Sequence, residues 1–156
     1  MRLVYKKTSL EDLDVLTQTR IVVLRAANGL DDTVDMSAVE AESRRYYQQA
    51  LKTGEHIAYL VYDKEQVVAT GGISFYQVQP TYHNQTGRKA YIMNMYTMPQ
   101  YRRKGIALEM LRLLVKEGKQ KGVSHISLEA TDMGKPLYQK YGFVTMQNEM
   151  ILLNYK

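Results

Sequence analysis

The chain has 156 residues, enough for one domain with a real core and too few for two. Its 45% hydrophobic and 24% charged residues are the balance of a globular protein, with no stretch long and apolar enough to cross a bilayer. A formal net charge of +5 favours anionic partners such as phosphates or nucleic acid, and the absence of cysteine excludes disulfides and thiolate metal sites and suits the cytoplasm.

The opening "MRLVYKKTSLEDLD" turns acidic and helix-like within ten residues, unlike a secretory signal. Its Arg2–Lys7 portion alternates in character and predicts a short strand. Ser9 with Asp12 three residues later matches a capping box, and Leu10, Leu13, Leu16, Ile21 and Leu24 recur near the helical period. A second helix is expected from Ser37, boxed by Glu40, as far as Gly54.

The period then changes. "HIAYLVY" (His56–Tyr62) and "VVATGGISFY" (Val67–Tyr76) are β-branched and aromatic around the polar "DKEQ", the pattern of a hairpin. A polar loop follows, then a strand over Lys89–Thr97 that Pro99 ends, since proline cannot donate to a ladder. Gly105–Gly122 carries the clearest helical pattern, with Ala107, Leu111, Leu114 and Val115 on one face and cations in its last turns. "SHISLEA" predicts a strand, "GKPLYQKYG" a short helix and "EMILLNY" a closing strand. Helices first, then a hairpin, then alternating strands and helices imply a mixed sheet with helices on its faces, in the α+β or α/β class. No linker, repeat or low-complexity tract divides the chain, so residues 1–156 are expected to form a single domain.

The chemistry concentrates in "PQYRRKGIA" (Pro99–Ala107), which joins a strand to a helix N-terminus. The first amides of a helix lack intrahelical partners and carry the positive end of the macrodipole, so they attract anions. Gly105 gives the turn backbone freedom and leaves the approach open, while Arg102, Arg103 and Lys104 add charge for phosphates. From charge alone, a solvated basic loop is the simpler reading. The turn is neither a Walker loop nor a dinucleotide fingerprint.

Two motifs at a matching separation go further. Arg102-x-x-Gly105-x-Ala107 resembles the R/Q-x-x-G-x-G/A signature of the GNAT superfamily of acetyl-CoA-dependent N-acetyltransferases, and "LYQKYGF" resembles the ending of that family's later helix. The likeness runs from about Ala90 to Phe143. It implies an α+β fold with a mixed, mostly antiparallel sheet, splayed between the strands at Lys89–Thr97 and Ser124–Glu129, with helices on both faces. It also implies that acetyl-CoA lies in the opening. The pantetheine arm would pair with the backbone of Met95, Tyr96 and Thr97, and the pyrophosphate would rest on amides from Arg103 to Leu108, through Lys104, Gly105, Ile106 and Ala107. Arg102 would add charge beside it.

Tyr138 stands at the family's tyrosine position, implying a proton source or hydrogen-bond donor for the departing thiolate; packing between sheet and helix is its structural alternative. An oxyanion would fall to a backbone amide near Met95–Tyr96 if a bulge interrupts the strand. Many relatives carry a glutamate on that strand, where "AYIMNMYT" offers only Asn94, so the general base is left open. Glu129 and Asp132 read as surface or turn residues. His56, His83 and His125 lack paired spacing, so no metal is expected.

The function implied is acetyl transfer from acetyl-CoA to a primary amine of a small molecule or peptide. Neither nucleic acid nor a membrane is an expected partner, and a homodimer follows from similar enzymes. The alternatives are a non-catalytic acyl-CoA-binding or regulatory domain on the same fold, and a nucleic-acid module using "YRRK". The latter would need cations spread along a face rather than gathered at one turn.

Overall fold

A computed structural model describes residues 2–153. The first strand, β1 (Leu3–Lys7), leads to Ser9, where the capping box forms. The Asp12 carboxylate accepts the Ser9 amide at 2.9 Å, and Ser9 Oγ accepts the Glu11 amide at 3.3 Å. One 3₁₀ turn then precedes α1 (Leu13–Asn28). The second helix, α2 (Ser37–Thr53), stops at Gly54, whose φ of 82° is the left-handed conformation glycine tolerates. Its start differs from the expected Ser37–Glu40 box. Met36 is the N-cap, without a side-chain cap, and the Asp35 carboxylate takes the Ser37 amide at 2.9 Å.

The hairpin consists of β2 (His56–Asp63) and β3 (Gln66–Gln77), with Lys64 at positive φ in its two-residue turn. After the polar loop come β4 (Arg88–Thr97), a 3₁₀ turn at Pro99–Tyr101, α3 (Ile106–Gln120), β5 (His125–Leu128) and α4 (Lys135–Tyr141). The five strands lie in the order β1-β2-β3-β4-β5. The first three contacts are antiparallel and the last is parallel, which makes the sheet mixed and mostly antiparallel as expected.

Alternation along β2 fills both faces of the sheet. Ile57, Tyr59 and Val61 point into the larger core with Ile73, Ile92 and the α3 residues Met110, Leu111 and Leu114. Ala58 and Leu60 face the other way, against Leu16 of α1 and Tyr47 of α2. Helices therefore cover both faces, and the sheet's central strands are buried on each side. No helix among the described residues is long and apolar enough to cross a membrane.

Two expectations about the C-terminal third need correction. The strand expected over Ser124–Ala130 pairs only from His125 to Leu128, because beyond Ile92 it parts from β4, which itself runs on to Thr97. The closing strand over Glu149–Tyr155 does not form in residues 149–153, and Asn154 and Tyr155 lie outside the described residues. An apolar run becomes a strand only along an edge that supplies a ladder, and this one meets none: Met150 is 98% and Ile151 80% exposed.

Candidate active site at the open end of the sheet

Strands β4 and β5 pair from Lys89↔His125 to Ile92↔Leu128 and then part. Beyond Ile92, β4 runs on to Thr97 held only by β3, so the backbone of Met95, Tyr96 and Thr97 has no ladder partner on the β5 side. This is the splay the sequence implied. A chain-like ligand entering the gap would meet backbone donors and acceptors on one wall.

The gap opens towards the basic turn. Tyr101 ties that turn to the hairpin end, its hydroxyl donating to the Asp63 carboxylate at 2.6 Å. Arg102 folds back over β4, with Nε donating to the Thr97 carbonyl at 3.0 Å and its guanidinium 5.9 Å from the Tyr96 ring centroid. Arg102 therefore braces the turn as well as charging it. Arg103 and Lys104 project into solvent. Arg103 at φ 61° and Gly105 at φ 82° bend the chain into the helix. The first helical bond runs from the Glu109 amide to the Gly105 carbonyl, and no side chain caps the end. Among the described residues, the amides from Arg103 to Leu108 thus find no backbone acceptor. A Cβ at Gly105 would meet nothing within 4 Å. Uncapped donors, three cations and open space together fit a diphosphate.

Along β4 the ladder is irregular. Gly72 faces Met93 and Thr70 faces Tyr96, so Asn94 and Met95 stand opposite Gly71 alone. This is a β-bulge, with Asn94 at φ 59°. It lies where an oxyanion donor near Met95–Tyr96 was expected. Gly71 makes room for it, since a Cβ there would lie 2.9 Å from Met95 Sδ and 2.6 Å from Met110 Cγ.

Tyr138 sits on α4, 9% exposed within the larger core, its ring edge-on to Phe143 at 6.2 Å. Met95 packs against the same cluster. Burial raises the Tyr138 phenol above its ordinary 10, so the hydroxyl keeps its proton at neutral pH. Such a phenol can donate but not act as a base. Glu129 and Asp132 are exposed, in keeping with surface roles. A hollow of about 450 Å³ lies along the C-terminal half of α3, lined by Lys116, Lys119 and Tyr141 among others, well away from this turn.

Two features escaped the sequence reading. Arg20, midway along α1, donates from Nη1 to Asn94 Oδ1 at 2.9 Å across 74 residues of chain. His56 at the start of β2 forms a hydrogen-bonded group with Ser74 and Tyr46. Its Nδ1 lies 2.8 Å from Ser74 Oγ, which lies 2.8 Å from the Tyr46 hydroxyl. His56 Nε2 is buried without a partner, and a Cβ at Gly72 would lie 2.7 Å from it. Burial, with repulsion from Arg20 added, holds this imidazole down to about 4. Nothing local marks either arrangement, because a lone histidine and a mid-helix arginine are ordinary in any globular sequence. Among the described residues no group of three or more His, Asp or Glu side chains could hold a metal.

Comparison with known proteins identifies the family and the fold. The model of the acetyltransferase (GNAT) family matches residues 27–143. A thialysine N-epsilon-acetyltransferase of Mus musculus is 33% identical over 67 residues, 43% of this chain and 39% of that protein; the match thus spans well under half of the relative's length. Among solved structures, a predicted acetyltransferase with acetyl-CoA from Clostridium acetobutylicum superposes with a TM-score of 0.88 at 35% identity, covering 97% of this chain and 96% of the other. A GCN5-related N-acetyltransferase from Ralstonia eutropha JMP134 shares the fold, at a TM-score of 0.83 and 23% identity over 97% of each chain. With three quarters of its length matched by the family model and nearly all of it by a relative of the same architecture, the chain belongs to the GNAT family of acetyltransferases.

Proposed function

We propose that this chain is an N-acetyltransferase that moves the acetyl group of acetyl-CoA to a primary amine, all 156 residues acting as one catalytic unit. The observation that carries this reading is the uncapped, glycine-led N-terminus of α3 beside the unpaired end of β4. Bound acetyl-CoA would supply a thioester carbonyl to be attacked and a thiol to be displaced.

The chain's own residues divide the remaining work. Amides of Arg103, Lys104, Gly105, Ile106, Ala107 and Leu108 hold the diphosphate, helped by Arg102. Met95, Tyr96 and Thr97 align the arm along β4. The bulge aims an amide near Met95–Tyr96 at the carbonyl oxygen as charge develops there. As the carbon–nitrogen bond forms and the carbon–sulfur bond breaks, Tyr138 donates its hydrogen to the sulfur, and the proton that the acylated nitrogen releases returns to the phenol through water. The amine arrives as the free base, with its surplus proton passing to water.

The acceptor is a small aliphatic amine, a reading that the name of the mouse relative supports, or the amine of a peptide. The absence of cysteine suits a reducing compartment such as the cytoplasm. The test is thiol release from acetyl-CoA across a panel of lysine-like amino acids, polyamines, amino sugars and peptides. Turnover with any of them supports the reading. Binding of acetyl-CoA without turnover would favour a non-catalytic acyl-CoA-binding domain, to which the missing glutamate on β4 also lends itself.

The enzyme would work as a homodimer through its tail. Val144, Met146, Met150, Ile151, Leu152 and Leu153 are all more than half exposed, and β5 pairs on one side only. Ten residues of extended chain reach about 33 Å, enough to lie along a neighbour's sheet edge. A second copy supplies both an edge and a tail, and two-fold symmetry repeats the contact. Light scattering should find a dimer that becomes a monomer when the chain is stopped after Thr145. A full-length monomer would refute this.

A further inference from the structure

We infer that Arg20 is a positioning residue of the transfer reaction, one that fixes the β4 bulge by holding Asn94 in its left-handed conformation. This rests on the acyl-transfer reading for its consequence, but its geometric basis is independent of that reading. Three non-glycine residues among those described have positive φ: Lys64 in the hairpin turn, Arg103 in the basic turn, and Asn94 inside a strand. Turns require such a conformation, whereas a strand does not. Asparagine tolerates it better than most residues, yet nothing in its own backbone selects it over an extended one.

What selects it lies on either side of the sheet. On the α3 side, Gly71 leaves space for the Met95 side chain, which reaches the larger core. On the other side, the Asn94 side chain accepts the Arg20 guanidinium at 2.9 Å. Arg20 is half-buried on α1, a helix fixed by packing of Leu16 against Ala58 and Leu60. A charged donor on an anchored helix thus pins one side chain of the bulge. Without it, β4 can extend at Asn94, and a single-residue slip in register turns the next residues to the opposite faces. The amides near Met95 and Tyr96 would then leave the direction in which an oxyanion needs them. Arg20 would act on the reaction solely through Asn94.

The experiment uses the full chain and four variants: Arg20→Met, Asn94→Ala, Asn94→Gly, and Arg20→Met combined with Asn94→Gly. Arg20→Met keeps the aliphatic stem of the side chain and removes its donors. It should lower kcat roughly tenfold or more, the scale of a displaced catalytic group, with KM for acetyl-CoA within about twofold. Asn94→Ala should match it. Adding Asn94→Gly to Arg20→Met should recover most of the lost kcat, because glycine enters the left-handed region unaided. A merely structural role of Arg20, or a direct grip on the acceptor, would not be rescued by glycine at position 94. Amide hydrogen exchange over residues 90–97 supplies a readout that needs no turnover. It should be faster in Arg20→Met and in Asn94→Ala than in the parent protein. Unchanged exchange in both would overturn the inference, as would failure of the glycine to rescue kcat. Should the parent protein lack turnover altogether, the acyl-transfer reading fails while the exchange result still decides the role of Arg20 in the bulge.

Discussion

Acid should weaken this fold through one buried imidazole. His56 is 3% exposed, ringed by Tyr46 and Tyr47 with ring centroids 5.4 and 5.6 Å away, and hydrogen-bonded to Ser74. Burial first, and the Arg20 guanidinium second, lower its pKa from 6.5 to about 4. In the unfolded chain the same group takes a proton near 6.5. Between those values the unfolded state binds a proton that the native state refuses, so stability is complete above pH 6.5 and falls as the pH drops towards 4. At 1.36 kcal/mol per pH unit the full loss is about 3 kcal/mol, most of it spent by pH 4.5. For a chain of this length that is roughly 5–10 °C in Tm. Thermal melts at pH 7.5 and 4.5 would be compared with those of His56→Phe, which keeps a ring against both tyrosines and cannot titrate. The variant should start less stable, having lost the bond to Ser74, but its Tm should fall less on acidification. Equal falls in the two proteins, or a proton resonance of His56 titrating near 6.5, would refute the argument.

Three further outcomes test the site. Gly105→Val should weaken acetyl-CoA binding by at least about a hundredfold in calorimetry, because a branched residue resists φ 82° and its side chain would occupy the open space before the helix; retained affinity would place the diphosphate elsewhere. Tyr138→Phe should lower kcat roughly a hundredfold while leaving acetyl-CoA affinity and Tm nearly unchanged, since phenylalanine keeps the core contacts and loses only the donor. The pH profile of kcat/KM for a lysine-like amine should rise about tenfold per pH unit from 6.5 to 9.5, following the free-base fraction of an amine near ~10.4. An inflection between 6 and 8 would reveal a general base, which residues 88–97 of β4, free of Asp and Glu, do not offer.

The legible parts of this chain are those whose cause is local. Ser9 and Asp12 sit three residues apart, so their box forms within one turn and can be read from spacing alone. Gly54 ends α2 because a left-handed residue is wanted there. The basic turn proposed to hold the diphosphate is of the same kind: a proline, a run of cations and a glycine, all within nine residues of one another. The Ser37–Glu40 box shows the limit. Asp35, two residues upstream of Ser37, competes for the same amide, and spacing cannot rank the two acceptors.

The tail and the bulge lie beyond that limit for a different reason. "EMILL" has the composition of a strand, but a strand exists only when an edge receives it, and the edge belongs to tertiary or quaternary structure. Asn94 likewise follows its strand's pattern in sequence, with apolar neighbours at Ile92, Met93 and Met95. Its departure from extended backbone is enforced by Gly71 across the ladder and by Arg20 on a helix 74 residues away. Each of these partners is unremarkable by itself. The basic turn is thus specified by contiguous residues, while the bulge proposed to aim an amide at the carbonyl is specified by three segments brought together by the fold. Changes in α1 should therefore be able to alter the chemical step while leaving coenzyme binding intact, a separation that no reading of the motifs alone would anticipate.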